Sequence, residues 1–376
     1  MALKHLWITD FRCFEHAELV PAEGVTVIQG PNGAGKTSLL EAIGLLATMR
    51  SFRVAAREAL VRRGADSAIV RAEVVQAGRQ VLIEAELPIS RSWRFQANRQ
   101  VTRRLADLGG ALRVSVFSPD DLELVQGSPG TRRDFLDAAL VTGDVKMEST
   151  IAEVERVLRH RGALLRQSRA ETAGGQGRGE AAGGLRRGDT ESTFDVWDER
   201  LAGAGTRLAE ARERLVDDLA GPASGAYRHL SGRDSKLAFA YKRSWQGELL
   251  DALRQGRAED LKHQTTGSGP HRDELVILLD GMPARTHASQ GEQRCVALAL
   301  RLGSHELATS RFGEAPTLLL DDVFSELDDK RAALLAECLP PGQVLLATAV
   351  DPPRALSGSV VDVTVIGRAD RLAGGG

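Results

Sequence analysis

The sequence predicts an α/β fold: mixed sheets around a glycine-loop core, interrupted by an inserted, mainly helical second lobe. Three observations predict it. Short apolar runs alternate with turn residues over residues 1–125 and again from Gly269 onward. Between them the apolar period changes to the three-and-four spacing of helices. Near the start, a glycine-rich loop stands between an apolar run and a helical pattern, the order of a strand–loop–helix unit.

The composition bounds what such a fold can do. With 376 residues, two or three domains are possible, and 42% apolar residues allow a sizeable core. The net charge of -2 gives no global attraction to nucleic acid, so any DNA site must be a local basic patch. Cys13, Cys295 and Cys338 are far apart and lack metal-ligand spacing. That fits a reducing compartment rather than a disulfide framework. No run of 18 apolar residues occurs, and no basic stretch leads into an apolar leader. The expectation is a cytoplasmic protein without a membrane partner.

The elements follow in order. Leu3–Ile8, Val25–Ile28, Ser67–Val70 and Val81–Ile83 read as strands, and Leu39, Leu40, Ile43 and Leu46 as one face of a helix. In the middle, Ile151, Val154, Leu158 and Leu165 recur at helical spacing. Phe194, Trp197, Leu201, Ala204, Leu208, Ala211 and Leu215 then alternate steps of three and four, a coiled-coil-like stripe. The two stripes predict either a helical hairpin with arms of about 25 residues, roughly 38 Å long, or an ordinary helical subdomain. The Gly-rich, Arg-dotted segment near 171–190 between them cannot pack a core and is expected to be a loop. Later, Val276–Leu279 meets an Asp280-Gly281 turn, a helix follows Ser289, and Thr317–Leu320 and Val344–Leu346 read as buried strands. The expected division is residues 1–125 and 269–376 for the core domain, with 126–268 inserted.

Three segments carry chemistry. Gly30-Pro31-Asn32-Gly33-Ala34-Gly35-Lys36-Thr37-Ser38 contains G-x-x-x-x-G-K-[ST] in full, between a strand and a helix. The glycines let backbone N–H groups turn inward around a phosphate, and the helix N-terminus adds partial positive charge. Lys36 is expected on the β- and γ-phosphates of ATP, and the Thr37 hydroxyl on Mg²⁺. The second segment is the apolar run Thr317–Leu320 ending in Asp321-Asp322. Two adjacent carboxylates at a buried strand end repel unless a cation stands nearby. Asp321 is the natural second Mg²⁺ ligand. Asp322 is placed to orient or deprotonate the attacking water. The third segment is Ser289-Gln290-Gly291-Glu292-Gln293-Arg294 before an apolar helical run. Ser289 and Glu292 have capping-box spacing. Two readings stand there: a capped core helix, or a helix start whose bare Gly291 lets a phosphate approach.

In this order the three segments resemble an ABC-type ATPase head of the SMC and RecF kind, and Ser325-Glu326-Leu327-Asp328 resembles that group's D-loop. Further likeness to the RecF family lies in Asp10-Phe11-Arg12-Cys13-Phe14, Phe117-Ser118-Pro119-Asp120-Asp121-Leu122 and Gly127-Ser128-Pro129. It continues in Arg132-Arg133-Asp134-Phe135-Leu136-Asp137, Trp197-Asp198 and Gly269-Pro270-His271-Arg272-Asp273.

The resemblance implies an ABC-type ATPase head with weak turnover, in which ATP acts as a dimerisation switch. ATP on Lys36 and Thr37 of one copy is closed by Ser289, Gly291 and Asp328 of another, head to tail. Many ABC heads carry Glu where Asp322 stands, and a shorter acid suits slow hydrolysis. Thr348 takes the place of a γ-phosphate-sensing His. Arg12 is a candidate nucleotide contact, and Gln126 a candidate Q-loop ligand of the metal. The implied partners are DNA at single-strand gaps or junctions, RecO and RecR, with RecA loading as the outcome in repair and replication restart. The candidate DNA patch is Arg50, Arg53, Arg57, Arg62 and Arg63, which reads equally as a solvated arginine-rich helix face. With aromatics at only 4%, a base-stacking platform is not expected. The alternative reading is the ATPase subunit of a nuclease or chromosome-organising complex.

Overall fold

A computed structural model of the chain describes residues 1–53, 56–108, 110–174, 187–353, 356 and 358–366. The chain forms two compact units. The first comprises Met1–Leu122, Gly221–Lys236 and Ala288–Gly376; the second comprises Glu123–Ala220 and Leu237–His287.

The first unit opens with β1 (Ala2–Phe11), β2 (Phe14–Leu19), β3 (Val25–Gln29), α1 (Lys36–Thr48), β4 (Ser67–Gln76), β5 (Arg79–Pro88), β6 (Arg94–Ala97), β7 (Gln100–Thr102) and β8 (Val114–Phe117). The second unit carries α2 (Glu123–Gln126), α3 (Pro129–Gly143), α4 (Met147–Gly174), α5 (Arg187–Ser231, its last turns belonging to the first unit), β9 (Leu237–Lys242), α6 (Leu249–His263), β10 (Glu274–Leu279), β11 (Met282–Pro283) and α7 (Ala284–His287). The first unit resumes with α8 (Gln290–Phe312), β12 (Thr317–Asp321), α9 (Asp329–Cys338), β13 (Val344–Thr348), β14 (Ser359–Asp362) and α10 (Val363–Ile366).

The first unit holds two sheets. One is antiparallel, in the order β2-β1-β4-β5-β6-β7. Its strands alternate, with Leu6 and Ile8, Val70 and Ala72, and Ile83 and Ala85 turned into the core. The other is parallel, in the order β14-β3-β13-β12-β8. Every residue of β12 and β13 is buried, which explains why those runs are continuously apolar. Helix α1 lies against strands of both sheets, and Leu39, Leu40, Ile43 and Leu46 join them in one core. The chain ends of this core are tied by Gln343. Its Oε1 accepts from Leu3 N at 2.8 Å, and its Nε2 donates to Leu3 O at 2.8 Å and to Ala22 O at 2.9 Å.

In the second unit α4 and α5 run side by side. Arg161 meets Asp198, and Glu153 meets Arg207, so the pairing runs antiparallel. The helices are longer than the expected arms: α4 has 28 residues, about 42 Å, and the share of α5 in this unit runs from 187 to 220. Of the segment expected as a loop, residues 171–174 and 187–190 are helical, and 175–186 lie outside the described residues. The Arg161 side chain, fully buried, joins three helices and a turn. Its Nε donates to Asp198 Oδ1 at 2.7 Å, and its Nη1 to Asp260 Oδ2 at 2.6 Å and Thr266 Oγ1 at 2.8 Å. The return to the first unit falls at Ala288 rather than 269. The reason is pairing: β10 lies antiparallel between β9 and β11, which keeps residues 269–287 in the second unit.

Candidate functional site

The site grows from the end of β3. After Gln29 the loop turns through Gly30-Pro31-Asn32-Gly33-Ala34, with Pro31, Asn32 and Gly33 exposed, and enters α1 at Lys36. Gly35 caps the helix at φ 104, in the left-handed region. A Cβ there would stand 2.5 Å from Phe14 Cζ and 2.7 Å from Cys13 Sγ. Only glycine satisfies both the torsion and the close approach. The Lys36 ammonium, 7% exposed, donates to Gly30 O at 2.8 Å and Pro31 O at 3.1 Å, bracing the loop from within. Ser38, the third residue of the helix, is buried.

Strand β12 brings the carboxylates. Thr37 Oγ1 donates to Asp321 Oδ1 at 2.8 Å, across 284 residues of sequence. The Asp321 carboxyl is pushed up from its ordinary value, chiefly by burial; the Thr37 hydrogen bond lowers it, the Asp322 charge raises it, and Arg53 and Lys36 lower it. A hydroxyl and a carboxylate at this spacing are hard oxygen donors that suit Mg²⁺. Among the described residues no cluster of three acidic, His or Cys side chains could hold a metal alone. Mg²⁺ is ordinarily bound by one or two protein oxygens with the rest supplied by water and phosphate, so Thr37 and Asp321 fit the ion as one that would arrive with a nucleotide.

Asp322 stands in left-handed backbone, φ 51, with its N–H on Ala347 O at 2.8 Å. Its Oδ1 is buried without a hydrogen-bond partner. A non-glycine residue in that conformation, carrying an orphan polar atom, is a local cost of about a few kcal/mol.

The other predicted residues fall as follows. Arg12 is committed to the protein: its Nε and Nη2 donate to Glu41 Oε2 and Oε1 at 2.8 and 2.6 Å, and its Nη1 to Ala59 O at 2.9 Å. All three nitrogens are thereby engaged within the protein. Thr348 ends β13. It is fully buried, and its hydroxyl donates to Val350 O at 2.9 Å and accepts from Val350 N at 3.1 Å, closing a turn after β13. Gln126 ends α2 in the second unit. Ser289 caps α8 in a full capping box: Ser289 N and Oγ donate to Glu292 Oε2 at 2.9 and 2.8 Å, and Glu292 N donates back to Ser289 Oγ. Those bonds hold the Glu292 carboxyl below its ordinary value. Both Ser289 and Gln290 are exposed. Asp328 caps α9, accepting from Arg331 N at 2.9 Å.

The arginine patch is not one helix face. Arg57 opens a single 3₁₀ turn, with its guanidinium 5.1 Å from the Trp93 ring. Arg62 pairs with Asp10 at 2.6 Å, and Arg53 lies within electrostatic reach of Asp321. Arg50 and Arg63 are exposed. Sequence reasoning missed Glu41 and Arg331. The i,i+3 spacing of Asp328 and Arg331 was the available signal for the second.

Comparison with known proteins supplies the setting. Residues 2–346 match the RecF/RecN/SMC N terminal domain family. The DNA replication and repair protein RecF of Frankia alni is 41% identical over 378 residues, covering 96% of this chain and 97% of the relative. Its namesake in Streptomyces avermitilis is 40% identical over 373 residues, covering 96% and 97%. A solved structure of the recombination mediator protein RecF with ATP, in the RecFOR pathway, superposes with a TM-score of 0.83 at 28% identity, covering 96% of both chains. An Smc head bound to the C-winged helix domain of ScpA shares the fold alone, at TM-score 0.52 and 16% identity.

Proposed function

The chain belongs to the RecF family, and we propose that it is a magnesium-dependent ATPase whose ATP-bound, head-to-tail dimer grips DNA at single-strand gaps or junctions. There it helps RecO and RecR load RecA in repair and replication restart. The observation that carries the ATPase reading is the 2.8 Å bond between Thr37 and Asp321, which joins the glycine loop to the acidic strand end.

In this reading Lys36 leaves the loop carbonyls to meet the β- and γ-phosphates, and the loop N–H groups take the β-phosphate. Thr37 and Asp321 would hold a Mg²⁺ ion, which would supply positive charge to the phosphates. Asp322, whose Oδ1 is buried and unpartnered, orients the water. Topology supports a need for two copies. Helix α8 packs on β8, and β8 is three strands away from β3 in the sheet, about 14 Å at ordinary strand spacing. Among the described residues no hydrogen bond or ion pair joins the glycine loop to Ser289, Gly291 or Asp328. A second copy supplies those groups, and the γ-phosphate favours the paired state.

The test is light scattering with ATP and with ADP. ATP alone should give the dimer; Lys36→Met should lose nucleotide binding, and Ser289→Arg should keep binding but stay monomeric. A monomer in both nucleotides sinks the reading. DNA binding should weaken as salt rises, because backbone contacts release counterions.

A further inference from the structure

Gly291 is not bare. A Cβ placed on it would meet Arg331 Nη1 at 2.6 Å, Nη2 at 2.9 Å and Cζ at 3.0 Å. The two Nη atoms are nearer than Cζ, so the outer edge of the guanidinium lies against the first turn of α8. The same group is held from the other side: Arg331 Nη1 donates to Asp328 Oδ2 at 2.9 Å, and Arg331 N to Asp328 Oδ1 at 2.9 Å. Arg331 also lies beside the thiol of Cys295, one turn further along α8. One side chain on α9 thereby touches both groups that the two-copy reading hands to the neighbouring nucleotide: the Ser289–Gly291 turn and the Asp328 loop.

Arginine is required for this. Its fork can hold a carboxylate with one nitrogen while the same outer edge reaches the turn, whereas a lysine ammonium is a single point charge. A methyl group at 291 would push that edge aside.

We propose that Arg331 is a positioning residue: it clamps the Asp328 loop to the first turn of α8, so that Ser289, Gly291 and Asp328 meet a second copy's nucleotide as one preset half-site. The claim rests on the two-copy reading above and deepens it. Without the clamp each element must be ordered at the moment of pairing, which weakens the dimer but leaves the glycine loop's own grip on ATP intact. A purely structural role would lower melting temperature and nucleotide affinity together.

The experiment compares wild type, Arg331→Ala, Arg331→Lys, Gly291→Ala and the Arg331→Ala/Gly291→Ala pair. Three quantities are measured: affinity of the monomer for a fluorescent ATP analogue, the ATP-dependent dimer dissociation constant, and amide exchange at Leu327–Lys330. Arg331→Ala should leave analogue affinity within about twofold but weaken the dimer about tenfold, as for directly coupled neighbours, and speed exchange. Arg331→Lys should recover little. Gly291→Ala should imitate Arg331→Ala, and the pair should be no worse than either single change. An unchanged dimer constant in Arg331→Ala, beside a wild type that pairs with ATP, overturns the clamp. A wild type that never pairs removes the two-copy reading instead; unchanged exchange at Leu327–Lys330 in the monomer would then overturn the clamp as well.

Discussion

Replacing Arg12 by alanine tests what holds the start of the glycine-loop helix. The carboxylate of Glu41 on α1 is fully buried. It accepts from Arg12 Nε at 2.8 Å, Arg12 Nη2 at 2.6 Å and Ser51 Oγ at 2.5 Å. Arg12→Ala removes two of the three and strips the charge of its counter-ion. Breaking a buried pair by deleting one partner costs about 3–5 kcal/mol. The Arg12 side chain is 16% exposed, so water reaches part of the gap and the lower end, about 3 kcal/mol, is expected. The assay is urea unfolding of the single variants and of Arg12→Ala/Glu41→Ala. The double variant should regain at least half of the loss, because no buried charge then lacks a partner. A loss below about 1 kcal/mol in the single variant would refute the argument, as would a double variant no better than the single. A double variant that is stable yet cannot bind ATP would return Arg12 to the nucleotide.

Other outcomes follow from the same geometry. Gly35→Ala should cost about 2–4 kcal/mol, from left-handed strain plus overpacking on Phe14 and Cys13, and should weaken ATP binding; an unchanged melting temperature and affinity would contradict this. His271 and His305 are each held down to about 4, first by burial; Thr266 O opposes this at His271, where Arg272 and Arg133 add to the depression. With folded values below the unfolded 6.5, both contribute stability that is complete above pH 6.5 and is lost as pH falls towards 4. The 2.5-unit gap corresponds to about 3 kcal/mol for each. Unfolding midpoints should drop across that window, and the drop should shrink in His305→Gln; a flat profile would count against the buried neutral form. Gly303→Ala places a methyl 2.8 Å from Ala223 N and 3.0 Å from its Cα. The α8–α5 contact should open at a cost of about 1–3 kcal/mol, read as a lower melting temperature.

The glycine loop and Asp321 were legible because their chemistry constrains adjacent residues: turning N–H groups inward takes glycines a few positions apart, and an acid closing a continuous apolar run marks a buried strand end. Ser289 was legible in both of its readings, and the capping box is present. Long-range relations were not legible. Glu41 reads as a polar position on α1, yet the fold turns it inward onto Arg12. The run Val276–Leu279 looks the same whichever sheet receives it, so the unit boundary was placed too early. Arg50 to Arg63 are neighbours in sequence, and the fold pairs Arg62 with Asp10 and sets Arg57 over Trp93. Thr348 was read from its place after a strand, and its hydroxyl proved to serve the local turn.

The placement of β3 between β13 and β14 has a consequence for how the protein is made. Both neighbours of that strand are synthesised long after it, and Asp321 follows Thr37 by 284 residues. At about 5–20 residues per second a ribosome needs roughly 15 to 60 seconds to cover that distance. Throughout that interval the emerging strand has two unsatisfied edges, and no nucleotide can rescue it, since the pocket is still half unwritten. Nascent copies therefore depend on chaperones or on their own antiparallel sheet to shield the edge.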